Sequence, residues 1–270
     1  MYTQIIFSDI SEEIKNIIIA SLENTAEGFE ETDDALKAIF LTDHYNENNI
    51  DEIASAYHVS YEKENIASQN WNELWESNFS PVIVDEFVGI RASFHEPLKN
   101  VEHEIVITPK MSFGTGHHAT THLMIQQMQQ TDFSSKSVFD FGTGTGVLAI
   151  LASKLGAAEI VANDIDEWSI VNAQENFERN GTTHIRLLQS DSGQLDEKFD
   201  LILANINRNV LIDNMAALSQ QLHPGGRLIL SGILEEDEEA IRDAAQDNEL
   251  LFDEKTARNK WICMAFKGRA

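Results

Sequence analysis

The chain is predicted to be an α/β protein. Its main body reads as an open, mostly parallel, doubly wound sheet of seven strands with helices on both faces. A small α+β domain of ferredoxin-like order precedes it. Three observations predict this. From Ser135 onward, short apolar runs alternate with longer stretches of helical periodicity, the signature of βαβ units. Three glycines at alternate positions, Gly142, Gly144 and Gly146, join the first of those strands to the first helix. Residues 1–64 differ in character, with 15 acidic and 3 basic residues, a net charge of −12.

Within that front segment, Tyr2–Phe7 alternates as a strand does. Ser8 and Asp9 are N-cap candidates for a helix whose apolar periodicity runs from Ile14 to Leu22. A weak strand near Gly28–Thr32 and a firmer one at Ala35–Leu41 follow, then a helix at Asn48–Tyr57 and a closing strand at Val59–Glu64. The order is β-α-β-β-α-β. Residues 65–80 read as a connector, with Trp71 and Trp75 four apart on one helical face. The main domain is expected over 81–270. It opens with short strands at Val82–Val84, Val88–Ser93 and Glu104–Thr108. Core strands are expected at Ser137–Phe141, Glu159–Asn163, His184–Leu188, Phe199–Ala204 and Gly226–Leu230. Helices are expected at Val147–Leu155, Glu167–Asn180, Arg208–Leu222 and Glu235–Gln246. A hairpin of Leu250–Lys255 and Trp261–Phe266 closes the sheet and makes one of its strands antiparallel.

Composition narrows the function. The chain has 270 residues, 42% of them hydrophobic, which supports two domains with real cores. No apolar run approaches the ~20 residues of a membrane span, and the first residues lack the features of a signal peptide. A single cysteine, Cys263, rules out an internal disulfide. A cytoplasmic protein is expected. Lys+Arg number 19 against 45 Asp+Glu, a net charge of −26. No basic stripe is visible, so nucleic-acid binding is not expected. Such acidity favours solubility, and it would also steer a basic protein partner.

Polar residues gather where sheets of this kind bind ligands, past the carboxyl ends of the strands. Gly142, Gly144 and Gly146 follow the first core strand, Asp164 ends the second, Asp191 follows the third, and Asn205 and Asn207 follow the fourth. The glycine run fits two ligands. Read from Gly144 through Gly146 to Ala149, with Asp164 twenty residues on, it matches a dinucleotide fingerprint. Read from Asp140 it is D-x-G-x-G-x-G, the loop of S-adenosylmethionine enzymes. Upstream, Phe113-Gly114-Thr115-Gly116-His117-His118-Ala119-Thr120-Thr121 reads as a mobile lid with glycine hinges and hydroxyls for a polar ligand end. Adjacent histidines rarely share one metal ion, and no H-E-x-x-H pattern is present, so no metal is expected. His117 and His118 are better suited to structure or substrate orientation than to acting as a general base. In Ala204-Asn205-Ile206-Asn207, Asn207 suits a helix cap and leaves Asn205 for a ligand.

Together these runs resemble the ribosomal protein L-eleven methyltransferase family. The resemblance spans nearly the whole chain. It rests on the small front domain, the Trp71/Trp75 connector, Phe113-Gly-Thr-Gly-His, Thr120-Thr121, the Asp140 glycine loop, Asp164-Ile-Asp166, Ala204-Asn-Ile and Ser231-Gly-Ile-Leu234. It implies a class I methyltransferase fold, S-adenosylmethionine as cofactor, and a front domain that recognises the substrate. The expected reaction is methylation of lysine side chains and the N-terminal amine of one basic large-subunit ribosomal protein. The resemblance implies that Thr121, Gly142, Asp164 and Asn205 bind the cofactor, and the strand-end reading adds Gly144 and Asp191. Methyl transfer needs an aligned, neutral amine, so Asn205 and Ile206 are expected to orient it while Phe113 and the lid shield it from water. The chain departs from the family pattern at Ala119, often proline in the family, and at Asn207, often an apolar residue.

Overall fold

The computed structural model describes residues 2–8, 10–22, 25–26, 28–31, 35–42, 45–66, 80–108 and 116–269. The chain forms two compact units, Met1–Phe79 and Ser80–Ala270.

In the first unit the order is β1 (Tyr2–Ser8), α1 (Glu12–Leu22), β2 (Gly28–Glu31), β3 (Ala35–Leu41), α2 (Glu47–Tyr57) and β4 (Tyr61–Ile66). The strands pair antiparallel in the order β2-β3-β1-β4. The alternation of β3 turns Leu36, Ala38 and Phe40 inward beside Ile5 and Phe7 of β1, and the helices cover them with Ile18, Leu22, Ile50 and Ile53. Asn46 caps α2 by accepting the Asn48 N–H at 3.1 Å. His58 ends that helix in a left-handed conformation, φ 55°. The chain then needs Val59 and Ser60 to turn, so the closing strand begins two residues later than its apolar run suggests. The connector tryptophans, Trp71 and Trp75, lie outside the described residues.

The second unit opens with β5 (Val82–Val84), β6 (Val88–Ala92) and β7 (His103–Ile107), a three-stranded sheet with β5-β6 antiparallel and β6-β7 parallel. Then come α3 (Ala119–Gln129), β8 (Ser137–Phe141), α4 (Val147–Lys154), β9 (Glu159–Asp164), α5 (Glu167–Arg179), β10 (Arg186–Gln189), β11 (Phe199–Asn205), α6 (Arg208–Gln220), β12 (Leu222–Leu234), α7 (Glu238–Asp247), β13 (Leu251–Arg258) and β14 (Trp261–Lys267). The large sheet runs β10-β9-β8-β11-β12-β14-β13. Its central strands are buried on both faces, as in β8 with Val138, Phe139, Asp140 and Phe141. The chain enters at β8, steps outward to β10, then returns to β11 on the other side. That reversal opens a crevice at the carboxyl ends of β8 and β11.

Two further features serve the crevice. β14 is antiparallel to both β12 and β13, so its first residue, Trp261, pairs with Leu234 at the carboxyl end of β12. Two asparagines four apart, Asn176 on α5 and Asn180 at its C-cap, fasten the small sheet to the large one. Asn180 exchanges two hydrogen bonds with the backbone of Val106, at 2.9 and 2.7 Å. Asn176 accepts the Thr108 N–H at 2.7 Å and donates to the carbonyl of Thr145, in the glycine loop, at 2.8 Å.

Candidate active site

A cavity of about 420 Å³ occupies the crevice, within the range of small-molecule sites. Its lining follows the sheet edge from Asp164 on β9, past Gly142, Gly144 and Thr145 after β8, to Asn205 at the end of β11 and Ile206 just past it, Gly232 on β12 and Trp261 on β14. His118 and Thr121 close it from the start of α3.

The glycine wall is held by backbone. Gly142, Gly144 and Gly146 all have positive φ (76°, 55° and 81°), where side chains are strained. At Gly142 a Cβ would also meet Ile206 Cδ1 at 2.9 Å, and at Gly146 it would meet the Phe177 ring at 2.5 Å. The loop is tied to its neighbours through Asn163, which is fully buried. Its carbonyl accepts the N–H groups of Gly142 (3.1 Å) and Thr143 (2.8 Å), and its side-chain amide donates to the carbonyls of Ser190 and Ser192. Asp164 accepts the Gly144 N–H on Oδ2 at 2.8 Å and the Asp166 N–H on Oδ1 at 3.1 Å. The wall thus arrives at its ligand already braced.

Asp140 lies beneath the loop. Thr143 Oγ1 donates to its Oδ2 at 2.6 Å and the Ala149 N–H donates at 3.2 Å, while Oδ1 is buried without a partner. Burial pushes this carboxyl up to about 7, helped by the nearby Asp164 charge and opposed by those two donors.

The opposite wall is built differently. Asn205 is 8% exposed. Its Nδ2 donates to Thr121 Oγ1 at 3.4 Å, and its Oδ1 is buried with no hydrogen-bond partner. A buried acceptor left open inside a cavity is costly unless a ligand satisfies it. The segment that carries it is clamped. The Ile206 N–H donates to the Ser231 carbonyl at 3.2 Å, and Gly232 (φ 88°) presses on the Ile206 backbone so closely that a Cβ would strike its carbonyl. Asn207 caps α6, accepting the Val210 N–H at 3.2 Å. His118 Nδ1 accepts the Thr120 N–H as the cap of α3, and its ring meets Trp261 edge-on with centroids 4.6 Å apart.

Most of the predicted site residues therefore meet in one cavity: Thr121, Gly142, Gly144, Asp164, Asn205 and Ile206. Asp191 is exposed and outside the lining, two residues beyond β10. Phe113 lies outside the described residues. The lid expected over Phe113–Thr121 is corrected at its end: residues 119–121 form the first turn of α3, with Thr120 and Thr121 buried, so Thr121 is a fixed wall group. His117 donates from Nε2 to the Ser80 carbonyl at 2.9 Å, a structural bond. Sequence reasoning gave no role to Asn163, Gly232 or Trp261. Gly232, a glycine interrupting an apolar strand just past its polar Ser231, carried the usual signal of a close backbone approach.

Comparison with known proteins agrees with this geometry. The family model described as Ribosomal protein L11 methyltransferase (PrmA) matches residues 5–269. The chain is 37% identical over 265 residues to the ribosomal protein L11 methyltransferase of Bacteroides fragilis, covering 95% of both proteins. It is 44% identical over 180 residues to that of Chlorobaculum tepidum, covering 64% of this chain and 62% of that protein. The crystal structure of ribosomal protein L11 methylase from Lactobacillus delbrueckii subsp. bulgaricus superposes with a TM-score of 0.66 at 31% identity, over 71% of this chain and all of that one. The chain belongs to the ribosomal protein L11 methyltransferase family.

Proposed function

We propose that this chain transfers methyl groups from S-adenosylmethionine to amines of ribosomal protein L11, on lysine side chains and at the N-terminus. The observation that carries the reading is Asn205, which lines a glycine-walled cavity together with Asp164 and whose buried Oδ1 has no hydrogen-bond partner. The residues suit the cofactor. Asp164 offers lone pairs to ribose hydroxyls, and the glycines let a flat ligand lie against backbone. Thr121 and Asn205 supply polar groups for its amino-acid end, with Asp191 at the outer margin. When bound, S-adenosylmethionine supplies a methyl group held on a sulfonium, ready for in-line displacement.

The chain's own task is to orient and desolvate the acceptor. A free lysine amine has a pKa of about 10.4, so few molecules are neutral at pH 7. The apolar surround of Ile206 and Trp261 disfavours the charged form and excludes water, and the same shielding role is proposed for Phe113, which lies outside the described residues. Asn205 Oδ1 accepts an N–H of the amine and turns its lone pair toward the cofactor side of the cavity. Positioning of this kind is worth up to ~7–11 kcal/mol.

The domain reading is 1–64 for substrate recognition, 65–80 for a connector and 81–270 for catalysis. Support for the first comes from its net charge of −12 and from an antiparallel order that fits a ferredoxin-like domain. A basic ribosomal protein is the matching partner. The overall charge of −26 opposes direct nucleic-acid binding, and the place of action is the cytoplasm, where ribosomal proteins are made. No helix among the described residues is long and apolar enough to cross a membrane. The test is incubation with labelled cofactor and either L11 or ribosomal RNA, followed by mass spectrometry of the protein. Methyl groups on L11 amines are expected. Label in the RNA, or in neither, would overturn the reading.

A further inference from the structure

Three of the exposed large apolar side chains sit within seven residues beside the cavity. Ile165 is 67% exposed, Trp168 78% and Val171 47%. They follow directly on Asp164, and Ser169, one position past Trp168, lines the cavity together with Asp164. The helix explains the arrangement. In α5 the positions of Ser169, Asn172, Ala173, Asn176 and Phe177 face the sheet and are buried. Trp168 and Val171, three apart, share the outer face. A tryptophan leaving most of its ring in water loses the large apolar burial that usually holds it in place.

The charge beside Trp168 is acidic. Between Lys154 and Arg179 the chain has no basic residue and six acidic ones. Asp166 and Glu167 directly precede Trp168, and Glu175 and Glu178 lie about two and three turns farther along the outer face, where Arg179 ends the helix. An aromatic ring framed by carboxylates suits a lysine or arginine whose apolar stem lies on the ring while its charged end meets the acids.

We propose that Trp168 and Val171 form a docking surface on the catalytic unit for a basic segment of the protein substrate, separate from the amine that reacts. This rests on the protein-methyltransferase reading above. The surface would hold the substrate at the rim while the amine enters past Asn205, and it would add to recognition by the front unit.

The test compares the full chain with Trp168→Ser and Val171→Ser on two acceptors, intact L11 and a short single-lysine peptide too small to span the patch. Cofactor affinity is measured by calorimetry and association state by sedimentation. The expected result is a KM for L11 raised about five- to tenfold in Trp168→Ser and less in Val171→Ser, with kcat, peptide turnover and cofactor affinity unchanged. An unchanged KM for L11 would overturn the docking surface alone. So would a matching loss on the peptide or in cofactor affinity, which would make Trp168 part of the cofactor site. A wild-type dimer that Trp168→Ser dissociates would reassign the patch to self-association. No methylation of L11 by the wild type would overturn the reading beneath it as well.

Discussion

The two walls of the cavity are made on opposite terms. On the glycine side, the backbone and Asp164 are bonded within the protein, through Asn163, Gly144 and Asp166. On the Asn205 side, the Asn205 amide keeps an acceptor without a partner. A preformed wall suits a ligand of constant shape held in a constant way. A wall with an open acceptor suits a group that arrives, reacts and leaves. The comparison assigns holding to the first and orientation to the second, and each assignment can be broken.

The largest effect is expected at Asn205. Asn205→Ala should lower kcat by about 100-fold or more, in the range of losing one preorganised polar contact at a reacting centre, with little change in melting temperature. If the rate barely moves, the open acceptor has no part in the reaction. Gly232→Ala tests the same wall from behind. A Cβ there meets the Ile206 carbonyl at positive φ, so a loss on the order of 1–3 kcal/mol in stability is expected, together with a fall in rate. An active, fully stable variant would show that the wall gives way freely. Asp164→Ala acts on the holding side. It should weaken cofactor affinity by about tenfold, the scale of a lost hydrogen bond to a charged group, and leave kcat at saturating cofactor nearly intact. A fall in kcat alone would reverse the division of labour.

Asp140 gives a smaller effect with a defined sign. Its carboxyl titrates at about 7 in the fold against 3.8 for an ordinary aspartate. Between those values the folded state binds more protons than the unfolded chain, so this residue's contribution to stability falls as pH rises from about 4 to 7. Asp140→Asn keeps an acceptor for Thr143 and Ala149 and removes that dependence. It should melt a few degrees above the wild type at pH 8, with the gap closing toward pH 4. A gap constant with pH would mean Asp140 is ionised throughout. The smallest effect is ionic: raising salt from about 50 to 200 mM should increase the KM for L11 several-fold and leave cofactor affinity untouched.

What was legible in the sequence follows from how each element is buried. β8 and β11 read as continuous apolar runs because both of their faces are covered. The strand-end residues could be placed because sheets of this kind bind at that edge. α3 was hidden for the opposite reason. It buries Thr120, Thr121, Leu123, Met124, Ile125, Gln127 and Met128, so it shows no clean polar face, and its Gly/His/Thr-rich approach looks like loop. β12 begins earlier than its apolar core, at Leu222, because Leu222 already pairs with Phe199 before Pro224-Gly225-Gly226 bulges out, with Gly225 at φ 75°, and pairing resumes at Arg227 opposite Leu201. Trp261 was beyond local reading, since only the pairing of β14 against β12 shows which edge its first residue reaches.

The antiparallel β14 also bears on how the protein comes to life during refolding. His118 and Trp261 meet across the cavity mouth from positions 143 residues apart, and six of the seven strands of the large sheet lie between them in the sequence. Contacts of such long range form late, because their closure entropy is recovered only once the intervening elements have assembled. Helical signal should therefore return well before ligand binding does. Ligand capture would then report on the completed chain and would miss intermediates that already look folded by circular dichroism.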